Sequence, residues 1–232
     1  EPQWLYEDDD LVVVSKPAGM ITHPVERHSG DSLAEQLVER FGPLPSREDS
    51  FRPGIVHRLD RETSGVMVAA RSVRALNQLQ GQFRDRSVSK RYLAVVHGQP
   101  DQDRFDVDAP IGPVAGQRDL QGISTSGRDA HTEFHVLGRM GAYSVIECLP
   151  STGRRHQLRV HLWSRGLPIV GDKLYRPKGK VQGGIGLRHH ALHCAGLGFE
   201  HPVTSAPQSY VAAIPQEWTQ AWPELRGIDV PT

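Results

Sequence analysis

Positions 57–65 read HRLDRETSG, where His57, Arg58, Asp60 and Arg61 surround Leu59 and Glu62 follows. The chain then passes through Thr63, Ser64 and Gly65 straight into the apolar stretch VMVAA. A side chain at such a loop-to-strand junction projects from a rigid element and stays reachable. The small, turn-compatible residues let the backbone bend there without crowding a ligand. A carboxylate in that position loses hydration and takes up a proton unless a cation holds it ionised. Arginine suits the task, because its fork stays charged and binds a carboxylate bidentately. Arg58 and Arg61 are local candidates, and a second cationic stretch, STGRRHQLRVHL at 151–162, supplies distant ones. On spacing alone the local pair is the plainer reading, and exposed pairs of that kind contribute little.

The charge balance places these two stretches in a pattern. The 232 residues carry 27 basic and 27 acidic side chains, so the formal net charge is zero. The distribution is uneven: residues 1–50 balance at −7, 51–100 at +6, 101–150 at −4, 151–180 at +7 and the remainder at −2. Two basic blocks can fold into one cationic face on a neutral body, the footprint of phosphate binding. Solvated surface is the bland alternative. Hydrophobic content of 38% and charged content of 23% are ordinary for a soluble globular protein. No apolar run approaches the roughly 20 residues of a membrane helix. The opening EPQWLYEDDD lacks the basic start and apolar core of a signal peptide. Cys148 and Cys194 are the two cysteines, far apart, so a reducing, cytoplasmic setting is expected. RHHALH spaces His189 and His193 as a helical zinc pair would be, but no third ligand follows at suitable spacing, and no metal site is expected.

LVVVSKPAG is a short buried strand stopped by Pro17 and Gly19. DSLAEQLVERFG is a helix with Asp31 as cap, Leu33, Leu37 and Phe41 on one face, and Gly42 at its end. PLPSREDSFRPG is a loop that delivers the chain to Asp60, and GVMVAA is a buried strand. SVRALNQLQGQFRD is an amphipathic helix capped by Ser72, with Val73, Leu76, Leu79 and Phe83 inward. KRYLAVVHG, FDVDAPI, HTEFHVLGR and AYSVIECLP are strands, and RHQLRVHLWSRG is a helix closed by Gly166. LHCAGLGFEHP and SYVAAIP are closing strands, and PQEWTQAWPEL is a short last helix. The predicted fold is α+β: one catalytic domain over residues 1–232, built on a large mixed, mainly antiparallel sheet with flanking helices. No linker-like stretch divides it.

HRLDRETSG resembles the catalytic motif of the RluA-type family of RNA pseudouridine synthases. VVVSKPAGMITHP is similar to that family's opening strand and Lys-Pro-x-Gly loop, and KRYLAVVHG to the segment holding its active-site tyrosine. TGRRHQLRVHL followed by GLPIVGDKLY resembles its C-terminal signature. Four motifs in the family's order cover nearly the whole chain. The resemblance implies a pseudouridine synthase fold and an isomerase that detaches uracil from ribose, turns the base and rejoins it through carbon instead of nitrogen. It implies Asp60 as nucleophile, by the covalent-carboxylate logic of retaining glycosidases. It implies Tyr92 as the ring packed against the target base, and Arg159 as the arginine paired with Asp60. Arg58 matches an arginine that fills the gap left by a flipped nucleotide. Arg61, Arg154 and His156 are expected to contact RNA. Where the family has a small hydroxyl residue before His156, this chain has Arg155. Many relatives carry a small RNA-binding domain ahead of the catalytic one, and this chain begins almost at the catalytic strand.

The reaction is redox-neutral, so no cofactor is expected, and the expected partner is structured RNA, ribosomal or transfer, met by a monomer with no membrane association. Two other classes share these residues. A catalytically inactive RNA-binding protein on the same scaffold would not need Asp60, Tyr92 and Arg159 together. An N-glycosidase would release free uracil instead of recapturing it.

Overall fold

A computed structural model describes residues 1–24, 32–46, 52–177 and 185–228. The chain begins with β1 (Gln3–Glu7), which turns into β2 (Leu11–Lys16). The turn is made by Asp8, whose Oδ1 accepts from the backbone N–H of Asp10 and of Leu11, each at 2.8 Å. A side-chain acceptor of this kind replaces the backbone partner that a tight turn lacks. Helix α1 (Leu33–Phe41) follows, started by a reciprocal capping box between Ser32 and Glu35. The cap is therefore Ser32; Asp31, the expected cap, lies outside the described residues. Then come β3 (Ser64–Ala70) and α2 (Val73–Asp85), the latter capped by Ser72 as expected.

The chain continues through β4 (Ser89–His97), β5 (Arg104–Asp108), β6 (Ile111–Val114), β7 (Gln117–Ile123), β8 (His131–Met140), β9 (Tyr143–Pro150) and α3 (Gln157–Ser164). It closes with β10 (Leu192–Glu200), β11 (Pro207–Val211) and α4 (Gln216–Ala221). These elements group into two compact units: residues 1–89 with 194–212, and residues 90–193 with 213–231.

In the first unit the strand order is β1-β2-β3-β10, with β11 pairing β10. Strands β2 and β3 are antiparallel, with Leu11 opposite Ala70 and Lys16 opposite Gly65. Every residue of β3 is buried, as are Leu11–Val14 of β2, which explains why both read as unbroken apolar runs rather than alternating ones. Helix α2 packs on this sheet through Ala75, Leu76 and Leu79, which join Leu11, Val13, Val66, Val68, Leu197 and Phe199 in one core cluster. Val73, expected to face inward, is 66% exposed. As the first helical residue it sits one position off the 75/76/79 stripe, and Ala75 takes the inward place.

In the second unit the strand order is β4-β9-β8-β5, all antiparallel, and β6 with β7 forms a separate hairpin that the sequence pattern did not signal. Helix α3 starts at Gln157 instead of Arg155, because His156 takes a left-handed conformation with φ of 58° and ends the preceding loop. The antiparallel ladders and the helices against them give the α+β class expected.

Candidate active site

The Asp60 loop is held from three sides within the first unit. Thr22, 4% exposed, bonds Leu59 in both directions: its hydroxyl donates to the Leu59 carbonyl at 2.9 Å and accepts from the Leu59 N–H at 3.3 Å. His57 accepts the Val68 N–H of β3 on Nε2 at 3.1 Å and stacks on Phe83 of α2 at 4.4 Å between centroids. The Thr63 N–H closes a turn on the Asp60 carbonyl at 3.1 Å. Gly65 then enters β3 with φ of 123°, and a Cβ there would run into the backbone of Cys194 on β10. The glycine of Thr-Ser-Gly is thus a close-approach residue: only a missing side chain lets β10 pass. Asp60 itself is half-buried.

The local cation beside Asp60 comes from outside the HRLD motif. Lys16, at the end of β2, is fully buried. Its ammonium donates to the carbonyls of Met20 (2.8 Å), Pro17 (3.1 Å) and Arg61 (3.4 Å). It therefore ties the Lys-Pro-x-Gly loop to the Asp60 loop. A second tie runs beside it, with the Gly19 N–H on the Arg61 carbonyl at 2.8 Å and Arg61 Nε on the Gly19 carbonyl at 3.0 Å. Burial drives the Lys16 pKa down to about 7, while the charges of Asp60 and Glu62 oppose that fall. Its sequence signal is a lysine that ends an apolar strand directly before Pro17.

Outside this buried ion lies a cationic rim. Arg58 and Arg61 are exposed, as is Arg52. His23 is half-buried next to them, and burial first, then the charges of Arg52 and Arg58, lower its pKa to about 4. At neutral pH the rim is therefore arginine charge with a neutral imidazole among it. Arginines arranged this way suit phosphate oxygens and base faces.

In the second unit Tyr92 lies on β4 opposite Cys148 of β9, half-buried. The neighbouring Arg91 projects to the other face of the strand, where its Nε meets Glu147 at 2.7 Å. Glu147 also pairs with His135 at 2.8 Å, so one charged ladder crosses β4, β9 and β8. It braces the strand that carries Tyr92.

The α3 end of this unit is built on a buried polar chain. Gln157 accepts from the Thr152 hydroxyl (2.7 Å) and the Arg154 N–H (3.0 Å) and donates to Thr132 Oγ1 (3.0 Å). Thr132 meets His161 Nδ1 at 3.0 Å, and His161 Nε2 meets the Ala109 carbonyl at 3.0 Å. With Nε2 donating to a carbonyl, Nδ1 accepts from Thr132, which fixes the neutral tautomer. Burial lowers the His161 pKa in the same sense.

Arg159, buried in α3, gives Nε to Asp172 Oδ2 at 2.7 Å and Nη2 to Asp172 Oδ1 at 3.0 Å. Burial pushes the Asp172 carboxyl up, but the Arg159 hydrogen bonds and charge, the Tyr175 N–H and His190 outweigh it, and the net shift is downward. Arg154 Nε donates to the Asp129 carbonyl at 2.8 Å, and His156 Nδ1 meets the Tyr175 hydroxyl at 2.8 Å. Arg155, which replaces a small residue of the family pattern, is exposed and reaches Asp119 of β7 at 3.4 Å. Asp172 and Tyr175 were legible only as letters of GLPIVGDKLY; their roles were not. Among the described residues no group of three or more His, Cys, Asp or Glu is placed to hold a metal.

The model of the RNA pseudouridylate synthase family matches residues 10–164, which include Asp60, Tyr92 and Arg159. The chain belongs to this family. It is 37% identical to the RNA pseudouridine synthase YlyB of Bacillus subtilis over 221 residues, 95% of this chain and 72% of that protein. It is also 37% identical to the ribosomal large subunit pseudouridine synthase D of Zymomonas mobilis, over 92% of this chain and 69% of that one. Among solved structures, human RNA pseudouridylate synthase domain containing 4 superposes with a TM-score of 0.74 at 30% identity, covering 97% of this chain and 93% of its own. The protein is thus an RNA pseudouridine synthase, an isomerase acting on uridine in RNA, and its fold is that of the family. Among the described residues of the synthase no helix is long and apolar enough to cross a membrane.

Proposed function

We propose that this synthase converts uridine to pseudouridine in structured ribosomal RNA with Asp60 as the nucleophile. The observation that carries the reading is the Asp60 loop itself. A half-buried carboxylate sits on a braced turn, with the Lys16 ammonium inside and the exposed Arg52, Arg58 and Arg61 outside. Such a carboxylate is placed on a rigid support for attack, while the outer charges meet phosphate. The Asp60 carboxylate bonds to C1′ as the C1′–N1 bond breaks, the freed uracil turns, and C5 bonds to C1′ as the carboxylate leaves. The C5 proton leaves and N1 gains one, so atoms and electrons balance without a co-reactant. Tyr92 packs against the target base and Arg159 serves Asp60. A guanidinium has two hydrogen-bonding edges, so the Asp172 clamp on Nε and Nη2 is compatible with a second carboxylate on the other edge. Arg58 fills the gap of the flipped nucleotide, and Arg61, Arg154 and His156 contact the RNA backbone.

Ribosomal RNA is favoured over transfer RNA because relatives such as the Zymomonas mobilis protein carry a ribosomal large subunit name. Residues 1–232 act in this proposal as one catalytic domain, monomeric and cytoplasmic. In support, the family match crosses from one compact unit into the other. The test is tritium release from 5-tritiated uridine in ribosomal RNA fragments and in bulk transfer RNA, with pseudouridine mapped in host RNA with and without the protein. Product in ribosomal RNA, abolished by Asp60→Asn with RNA binding retained, is expected. Product confined to transfer RNA, or Asp60→Asn turnover within about tenfold of the parent, overturns the corresponding part.

A further inference from the structure

Arg159 is held more tightly than a charge partner needs to be. We infer that Asp172 is the residue that positions Arg159 for its work on the reaction; the inference rests on the proposed reading of Arg159 as the active-site arginine. The clamp is bidentate, at 2.7 and 3.0 Å, between side chains 7% and 0% exposed. The carboxylate is itself fixed, since Oδ1 also accepts the backbone N–H of Leu174 at 2.9 Å and of Tyr175 at 3.0 Å. Its other oxygen has the buried His190 Nδ1 at 3.9 Å.

The flat face of the guanidinium is held as well. Its carbon lies 4.9 Å from the centroid of the Tyr175 ring. That ring is buried with Ile111, Ala130 and Val160 and is anchored at its hydroxyl, which accepts the Gln121 N–H at 2.9 Å and meets His156 Nδ1 at 2.8 Å. Because the hydroxyl accepts from Gln121, its proton is available for His156. The turn that delivers Asp172 is equally constrained. Gly171 has φ of 79°, and a Cβ there would come within 2.8 Å of the His189 carbonyl.

In-plane and out-of-plane freedom of Arg159 are thus both removed, by a carboxylate and a ring that follow each other in GDKLY. A buried ion pair is weak evidence for stability, because desolvation offsets the attraction and apolar packing would serve as well. What the pair does confer is direction. One edge of the fork is occupied, and the other is aimed with little rotational freedom, as a pre-organised site requires. Asp172 acts through Arg159 and needs no contact with RNA.

The experiment is a double-mutant cycle on the full chain with an RNA that the parent modifies. Asp172→Asn is expected to lower kcat by between about tenfold and about a hundredfold, with KM and RNA affinity within about threefold. In an Arg159→Lys background, Asp172→Asn is expected to change kcat by less than about threefold, since the residue it positions is already gone. An equal loss in both backgrounds overturns the inference, as does parental kcat in Asp172→Asn while Arg159→Lys is impaired. If Arg159→Lys keeps parental kcat, the reading of Arg159 has failed, and this inference falls with it. If Asp172→Asn does not fold, the parent protein with 15N-labelled arginine decides. A slowly exchanging Nε–H for Arg159 supports the clamp in solution, and exchange as fast as that of exposed arginines overturns it.

Discussion

Lys16 should titrate near neutrality, and the consequences can be worked out from its surroundings. The side chain is fully buried at the end of β2, and its pKa falls from 10.5 to about 7. Between those values the unfolded chain binds more protons than the folded one, so stability rises with pH across that window. The penalty is fully present below the folded pKa and disappears as pH approaches the unfolded value. At about 1.4 kcal/mol per unit, a fall from 10.5 to about 7 corresponds to about 5 kcal/mol over the whole window. Lys16→Met removes the titration, but it also strips a donor from the carbonyls of Pro17, Met20 and Arg61. The expected result in urea unfolding is that the stability of the parent relative to Lys16→Met rises with pH above neutrality, by up to about 1.4 kcal/mol per pH unit. A direct assay is available because the chain has only five lysines. In protein labelled at lysine 13Cε, the Lys16 resonance, assigned by its loss in Lys16→Met, should shift near pH 7. Titration of Lys16 near 10.5, together with a flat stability difference, would refute the argument that burial outweighs the neighbouring carboxylates.

Other tests follow from the same structure. Gly65→Ala should cost about 3 kcal/mol or more, because a Cβ there meets the Cys194 backbone and φ is 123°; parental stability in urea would contradict the close approach. Thr22→Val should cost about 1–3 kcal/mol by leaving the buried Leu59 N–H and carbonyl unpaired. It should lower kcat more than RNA affinity, since Leu59 precedes Asp60, and an unchanged kcat would argue that the loop is braced without it. The downward shift of Asp172 means that its stabilising contribution is present above the ordinary carboxylate pKa and lost as pH falls through the folded value. The stability difference between the parent and Asp172→Asn should therefore shrink on acidification, and a constant difference would exclude that linkage. Turnover should persist in a chelator, because the isomerisation transfers neither electrons nor phosphate; inactivation reversed by zinc alone would disprove this.

Much of the fold was legible locally. The unbroken apolar runs at 11–14 and 66–70 read as doubly covered strands because neither contains a polar alternation, and they pair as such. Ser72 was recognisable as a cap because a hydroxyl before a helical run has one obvious acceptor role. The carboxylate of HRLD and the cationic stretch at 151–162 stood out because charge next to apolar sequence is costly unless it is used. Those features are properties of a few adjacent residues, and the chain states them by itself.

The rest depended on which polar groups were buried together. Lys16 looks like any strand-ending lysine until its ammonium is enclosed by three carbonyls with Asp60 and Glu62 nearby. Val73 reads as an inward apolar residue beside Leu76, yet it lies one position off the stripe that is buried, and Ala75 takes the inward place. Nothing in GDKLY says that its aspartate clamps an arginine thirteen positions earlier or that its tyrosine lies under the same guanidinium. Periodicity records which face of an element is apolar, because burial of apolar area is non-directional and additive along the chain. A hydrogen bond or ion pair is directional and lasts only at a particular distance and angle. Those are set when separate segments are packed, so the orientation of Arg159 and the charge state of Lys16 were decided by the tertiary structure alone.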